Sequence, residues 1–182
     1  MLLHAQTSGP PWTSEHTRFV DALLQNEGSC EISVDWTRYA YEDGDHFTDV
    51  GAAAFCEDLV QAVLVRCGAN RRLWILSDST IGHNDYDAVH GEWTGAASAR
   101  IAAQLRAAGV EATVDAVCGS GFAAMSSEGE HFAARIAARR RGAVAPPDAV
   151  LFIGGWNDEG RRADQLGLAI SGACRAARAC LR

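Results

Sequence analysis

The sequence predicts an α/β fold, a three-layer α/β/α arrangement around a five-stranded parallel sheet, in one domain spanning residues 1–182. Two observations carry this expectation. Five strand-like runs alternate with five helical runs, the pattern of a parallel sheet whose connections cover both faces. A chain of 182 residues with 48% apolar and 21% charged residues has the size and composition of one globular domain with a substantial core.

The elements follow in order. Met1 to Ala5 is a short apolar run that ends in the turn-rich Thr7-Ser8-Gly9-Pro10-Pro11. Glu15 to Asn26 reads as a helix with Phe19, Val20, Leu23 and Leu24 as its apolar stripe and Gly28 beyond its end. Cys30 to Trp36 is a second, weakly alternating strand, and Thr37 to Phe47 a loop. Thr48 is placed to cap a helix that runs to about Arg66, with Gly68 as its stop. Leu73 to Leu76 is the third strand. Trp93 to Ala108 reads as a helix closed by Gly109, and Ala112 to Val117 as the fourth strand. Ser127-x-x-Glu130 has the form of a capping box opening a helix through Arg141. Pro146-Pro147 breaks the chain before the fifth strand, Ala149 to Ile153, and the last helix covers roughly Arg162 to Ala179. No internal repeat, linker or low-complexity tract interrupts the pattern.

Composition removes several classes of function. The net charge of -7 and pI near 5.3 argue against a nucleic-acid partner or an anionic membrane surface, and no apolar run is long enough to span a bilayer. All 16 basic residues are Arg, so lysine Schiff-base, pyridoxal and Walker-type phosphate-loop chemistry is excluded. The 6 cysteines, Cys30, Cys56, Cys67, Cys118, Cys174 and Cys180, form no C-x-x-C pair and read as buried free thiols rather than a zinc site. Leu2-Leu3 is too short for a signal peptide and Pro10-Pro11 follows closely, which favours the cytoplasm. No cofactor and no metal are expected.

In open parallel sheets ligands bind beyond the carboxyl ends of the strands. The third strand ends in Ser77-Asp78-Ser79, the fourth in Cys118-Gly119-Ser120-Gly121, and the fifth in Gly154-Gly155-Trp156-Asn157-Asp158. The second leads into Asp43-Gly44-Asp45-His46. Together these runs resemble the sequence blocks of the SGNH hydrolases, the GDSL esterases and lipases. Ser79 matches the nucleophile of the G-D-S block, Gly119 the block-two glycine, Asn157 the asparagine of G-x-N-D, and Asp43 and His46 the D-x-x-H block. Pro147 to Gly154 is similar to the usual lead-in to G-x-N-D. The resemblance covers nearly the whole chain once two parts are exchanged: here the acid and base precede the nucleophile, as in a circular permutation. The sequence departs from the family at Ser77, where the G-D-S block has glycine.

The resemblance implies a flavodoxin-like SGNH fold. That family's strands lie in the order 2-1-3-4-5; with Met1 to Ala5 as its fourth strand, this chain's order becomes 4-3-5-1-2. It also implies a Ser79–His46–Asp43 triad, and an oxyanion hole of the Gly119 and Ser79 N–H groups with the Asn157 amide. A small-molecule or carbohydrate ester is the implied substrate, O-acetylated carbohydrate being one candidate. An acyltransferase using the same triad, a non-catalytic binding module of the same fold, and a phosphate binder using Ser77 to Thr80 are the competing readings.

Each singled-out residue has a plainer role to set beside the sharp one. Ser79 alone would be a helix cap, and His46 alone a surface histidine. Asp45 rivals Asp43 as orienter, but the spacing of three residues to His46 favours Asp43. His83, Asp85, Asp87 and His90 read as a polar rim loop before a metal site. Trp156 either lines the pocket or shields its loop. Trp74 and Trp93 read as core, Cys118 as packing, and Arg139-Arg140-Arg141 as a helix end meeting its dipole.

Overall fold

In the computed structural model, residues 2–3, 31–32, 34, 38–41, 47–82, 85–87, 92–94, 96–126, 129–142, 145–158 and 160–181 are described. Strands β1 (Leu2–Leu3), β2 (Glu31–Ile32), β3 (Arg72–Ser77), β6 (Glu111–Ala116) and β7 (Ala149–Ile153) form one sheet in the order β2-β1-β7-β3-β6. Every pairing in it is parallel. Its centre is the three-stranded set β7-β3-β6, and β1 and β2 add two residues each beyond β7. The α/β character with a parallel sheet and covering helices therefore holds. The helix expected over Glu15 to Asn26 lies outside the described residues.

Strands β3 and β7 are buried on both faces, so their side chains alternate between two cores. On one face Leu73, Ile75, Leu151 and Ile153 pack against helices α1 (Asp49–Cys67) and α3 (Ala96–Ala107). On the other, Trp74, Leu76, Val150 and Phe152 meet α4 (Phe132–Arg141) and α5 (Ala163–Arg178). Helix α1 shows why these segments fold as helices. Ala52, Phe55, Cys56, Leu59, Val60 and Val63 recur at helical spacing and are all buried. Thr48 caps the helix by accepting the Gly51 N–H at 3.1 Å, and Gly68 ends it by donating its N–H to the Leu64 carbonyl.

Helix α1 joins β3 through residues 68–71 alone, so its carboxyl end lies at the amino edge of the sheet. Its 19 residues, at about 1.5 Å each, carry its amino end toward the carboxyl edge. There Phe47 stacks on Phe55 with ring centroids 4.9 Å apart, and Tyr39 meets both rings edge-on. Tyr41 bridges Phe47 across the segment between them. The two ends of that segment are thus anchored beside α1.

Four expectations are corrected. Residues 93 and 94 are not helical: Trp93 lies in β5 (Glu92–Thr94), which pairs antiparallel with β4 (Asp85–Asp87), Tyr86 opposite Trp93. Tyr, Trp and Thr are compatible with strand, and the pairing of Tyr86 with Trp93 decides for it, so α3 starts only at Ala96. The same hairpin replaces the rim loop expected around Asp85 and Asp87. Helix α4 opens at Phe132 rather than at a Ser127-x-x-Glu130 box, because the His131 ring accepts the Ala134 N–H at 3.2 Å and takes the cap. Among the described cysteines only Cys56 and Cys180 are buried, while Cys67, Cys118 and Cys174 are half-buried.

Phe55→Ala is expected to lower unfolding free energy in urea by about 3–5 kcal/mol, since it removes a ring at the centre of the first core. Val65→Ala on the same helix, at a site 82% exposed, should change it by no more than about 0.5 kcal/mol.

Candidate functional site

The register of the central strands brings three loops to one line. Ser77 lies opposite both Ala116 and Ile153, so the chain leaves β3, β6 and β7 at the same level of the carboxyl edge. The Val117 N–H extends the ladder by one bond, donating to the Ser77 carbonyl at 3.0 Å. Ser79, Gly119 and Asn157 all follow within a few residues of that line.

Ser77 is accommodated as the last residue of β3. It is fully buried and paired on both sides, and its hydroxyl has no hydrogen-bond partner among the described residues. Asp78 follows, also fully buried. Its carboxylate accepts the Thr80 N–H at 2.8 Å and the Gly155 N–H at 3.3 Å, so it ties the β3 loop to the β7 loop. Burial pushes the Asp78 carboxyl above the usual range; the Thr80 and Gly155 hydrogen bonds oppose that rise, and the charge of Asp158 adds to it. A side chain at Gly154 would clash here: a Cβ would stand 2.6 Å from an Asp78 oxygen, and the backbone has φ +144.

Ser79 is half-buried and opens the short helix α2 (Ser79–Gly82). Ile81 in that turn is buried in the first core, and the Ser98 hydroxyl donates to its carbonyl, which binds α2 to α3. The candidate nucleophile thus stands on a turn held from below and from the side.

Gly119 sits in the turn after β6 with φ +70, a conformation that L side chains rarely adopt, and it is exposed. Asn157 lies in a single 3-10 turn, Trp156–Asp158, after β7. Its side-chain nitrogen donates to the Ser120 carbonyl at 3.0 Å, so its amide lies against the Gly119-Ser120 turn. An amide nitrogen carries two N–H groups, and this bond uses one.

Asp158 joins the two turns and had no role in the sequence reading. It is 2% exposed, and its carboxylate accepts three backbone N–H groups, from Phe122 at 2.8 Å, Ala123 at 2.9 Å and Ala124 at 2.7 Å. Gly121 lets that carboxylate come close; a Cβ there would lie 2.7 Å from it. Arg135 was also missed. It is 3% exposed on α4, bonded to the Ser77 carbonyl and the Ser120 hydroxyl and ion-paired with Asp115. The signal available in the sequence was a lone Arg on the apolar stripe of Phe132 and Ile136.

Asp43 and His46 lie outside the described residues; they fall in the segment bracketed by Tyr41 and Phe47. His83 and His90 are outside as well. Trp156 is placed by its backbone beside Asn157. Cys118 is half-buried, and burial together with the Asp78 charge pushes its thiol up, away from the thiolate that a nucleophile needs. Among the described residues no group of three His, Cys, Asp or Glu side chains is close enough to hold a metal ion. Trp74 is core, with the Arg139 guanidinium 5.0 Å above its ring, and Arg139, Arg140 and Arg141 fall in the last turn of α4.

No protein-family model matches the chain, and neither a curated protein nor a solved structure is significantly similar to it.

Asp158→Ala strips an acceptor from three buried or half-buried N–H groups, each costing about 1–3 kcal/mol when left without a partner. The expected outcome is a loss of at least about 3 kcal/mol in urea unfolding, with amide exchange accelerated first at Phe122, Ala123 and Ala124.

Proposed function

We propose that this chain is a serine esterase of the SGNH type, circularly permuted, that cleaves small acyl esters, O-acetyl groups on carbohydrate among them. Ser79 is the nucleophile. His46 takes its proton as the hydroxyl oxygen attacks the acyl carbon, and returns that proton to the leaving alcohol. Asp43 holds the imidazole through its other ring nitrogen. Water then attacks the acyl-Ser79 ester by the same route and releases the acid. The Ser79 and Gly119 N–H groups and the Asn157 amide stabilise the oxyanion.

The observation that carries this reading is the alignment of the Ser79, Gly119 and Asn157 turns at one edge of three adjacent strands, with Asn157 bonded to the residue after Gly119. A plain strand-to-helix cap at Ser79 would need neither the left-handed turn at Gly119 nor the amide beside it. The sheet order supports the permuted arrangement. Numbered among the five strands of the sheet in chain order and read from the β6 edge, it runs fourth, third, fifth, first, second, as the exchange of the two parts requires. The anchoring of Tyr41 and Phe47 at the amino end of α1 supports the acid–base segment's assignment to the same rim.

The test is covalent labelling by a fluorophosphonate together with turnover of p-nitrophenyl esters of increasing acyl length. Wild-type protein is expected to be labelled at Ser79 and to turn over the shortest esters best. Ser79→Ala and His46→Ala should each lose turnover, and wild-type activity in either rejects the triad. Asn157→Ala should lower kcat by about 10²–10³-fold with an unchanged circular dichroism spectrum. Acyl transfer to an added alcohol in preference to water would assign the same triad to a transferase.

A further inference from the structure

The geometry points to Arg135 as a positioning residue of this site, one that sets the nucleophile loop and the oxyanion turn in a fixed relation; the inference rests on the esterase reading above. The starting observation is its cost. A guanidinium cannot shed its charge, and taking it out of water is expensive unless its donors are matched. Arg135 occupies the apolar stripe of α4 between Phe132 and Ile136, where a hydrophobic side chain would pack without that cost. Its Nε has no partner among the described residues.

What the remaining donors touch is specific to the carboxyl edge. One terminal nitrogen donates to the Ser77 carbonyl at 3.0 Å and to the Ser120 hydroxyl at 2.8 Å. The other donates to the Asp115 carbonyl and pairs with the Asp115 carboxylate at 2.8 Å. Ser77 is two residues before Ser79, and Ser120 is one residue after Gly119. Ser120 in turn donates its hydroxyl to the Val117 carbonyl at 2.6 Å and accepts the Asn157 amide on its own carbonyl. Arg135 therefore links, in one planar group, the last residue of β3 before the nucleophile loop and the residue that follows Gly119 and receives the Asn157 amide. A planar, forked donor fixes direction as well as distance, which a lysine ammonium does not.

That placement matters because acyl transfer is sensitive to it. A shift of about 1 Å between a nucleophile and its stabilising donors can cost 10²-fold in rate. Arg135 touches none of the reacting atoms and acts through Ser77 and Ser120.

The experiment uses the full chain and reads kcat and KM for p-nitrophenyl acetate per site titrated with the fluorophosphonate, so that unfolded protein is not counted. Arg135→Met is expected to lower kcat per titrated site by about 10- to 100-fold with KM within about threefold of wild type. Arg135→Lys should recover part of the loss. Ser120→Ala should lower kcat in the same way, and its effect should be much less than additive with that of Arg135→Met. A merely structural role would lower the urea midpoint and the titratable fraction while leaving kcat per titrated site at the wild-type value, and that result overturns the inference. If Arg135→Met does not fold, Arg135→Lys and Ser120→Ala decide by the same readout. Wild-type protein that is neither labelled at Ser79 nor active removes the esterase reading and this inference with it. A labelled, active wild type with unaffected variants removes this inference alone.

Discussion

The arrangement of the carboxyl edge depends on one buried carboxylate. Asp158 ends the turn after β7 and receives three consecutive backbone N–H groups from the loop after β6. β6 and β7 are not neighbours in the sheet; β3 lies between them. Without that carboxylate the described residues of the two loops would share the Asn157–Ser120 hydrogen bond alone across the top of β3. Buried N–H groups without acceptors are costly, so the 121–124 backbone and the Asp158 side chain each need the other. The turn at Gly119 and the amide of Asn157 are held together as a by-product of that mutual need.

A second buried carboxylate works beside the first. Asp78 reaches from the β3 loop to the Gly155 N–H, so each of the three loops is tied to another by a group that cannot move without losing a partner. The tightness has a sequence signature in the glycines at 121 and 154, where there is no room for a Cβ beside either carboxylate. Burial first, and the Asp158 charge as well, displace the Asp78 carboxyl upward. Arg135 is the cation of this edge, set under β3 and β6 from the α4 side.

Much of the scaffold was legible because its signals are local. Pro146-Pro147 and the apolar run Ala149 to Ile153 define β7, and Thr48 and Gly68 bracket α1 to within a residue of where it lies. Gly119 and Asn157 are common turn residues just beyond strand ends, and they could be singled out only because their surrounding runs resemble the SGNH blocks. The rest was set by contacts that spacing does not encode. Trp93 fits a helical window as well as a strand, and only its pairing with Tyr86 decides for the strand. His131 is an uncommon cap, so the stronger-looking Ser127-x-x-Glu130 pattern drew attention away from it. Asp158 and Arg135 look like surface charges until the N–H groups and carbonyls they serve are seen in space, since those partners lie more than 30 and more than 50 residues away for the Asp158–Ala124 and Arg135–Ser77 bonds.

The position of β6 at the border of the sheet has a further consequence. Its chain neighbour on one side is β3; among the described strands nothing pairs with its other side. Lengthening or replacing the stretch from Met125 to Glu130 would therefore disturb no second ladder, while Ala123 and Ala124 stay bound to Asp158 and β3 keeps partners on both flanks. The scaffold separates a part fixed by pairing on both sides from a part free to vary, and under the esterase proposal new acyl preferences would have a place to arise by changes in that rim alone.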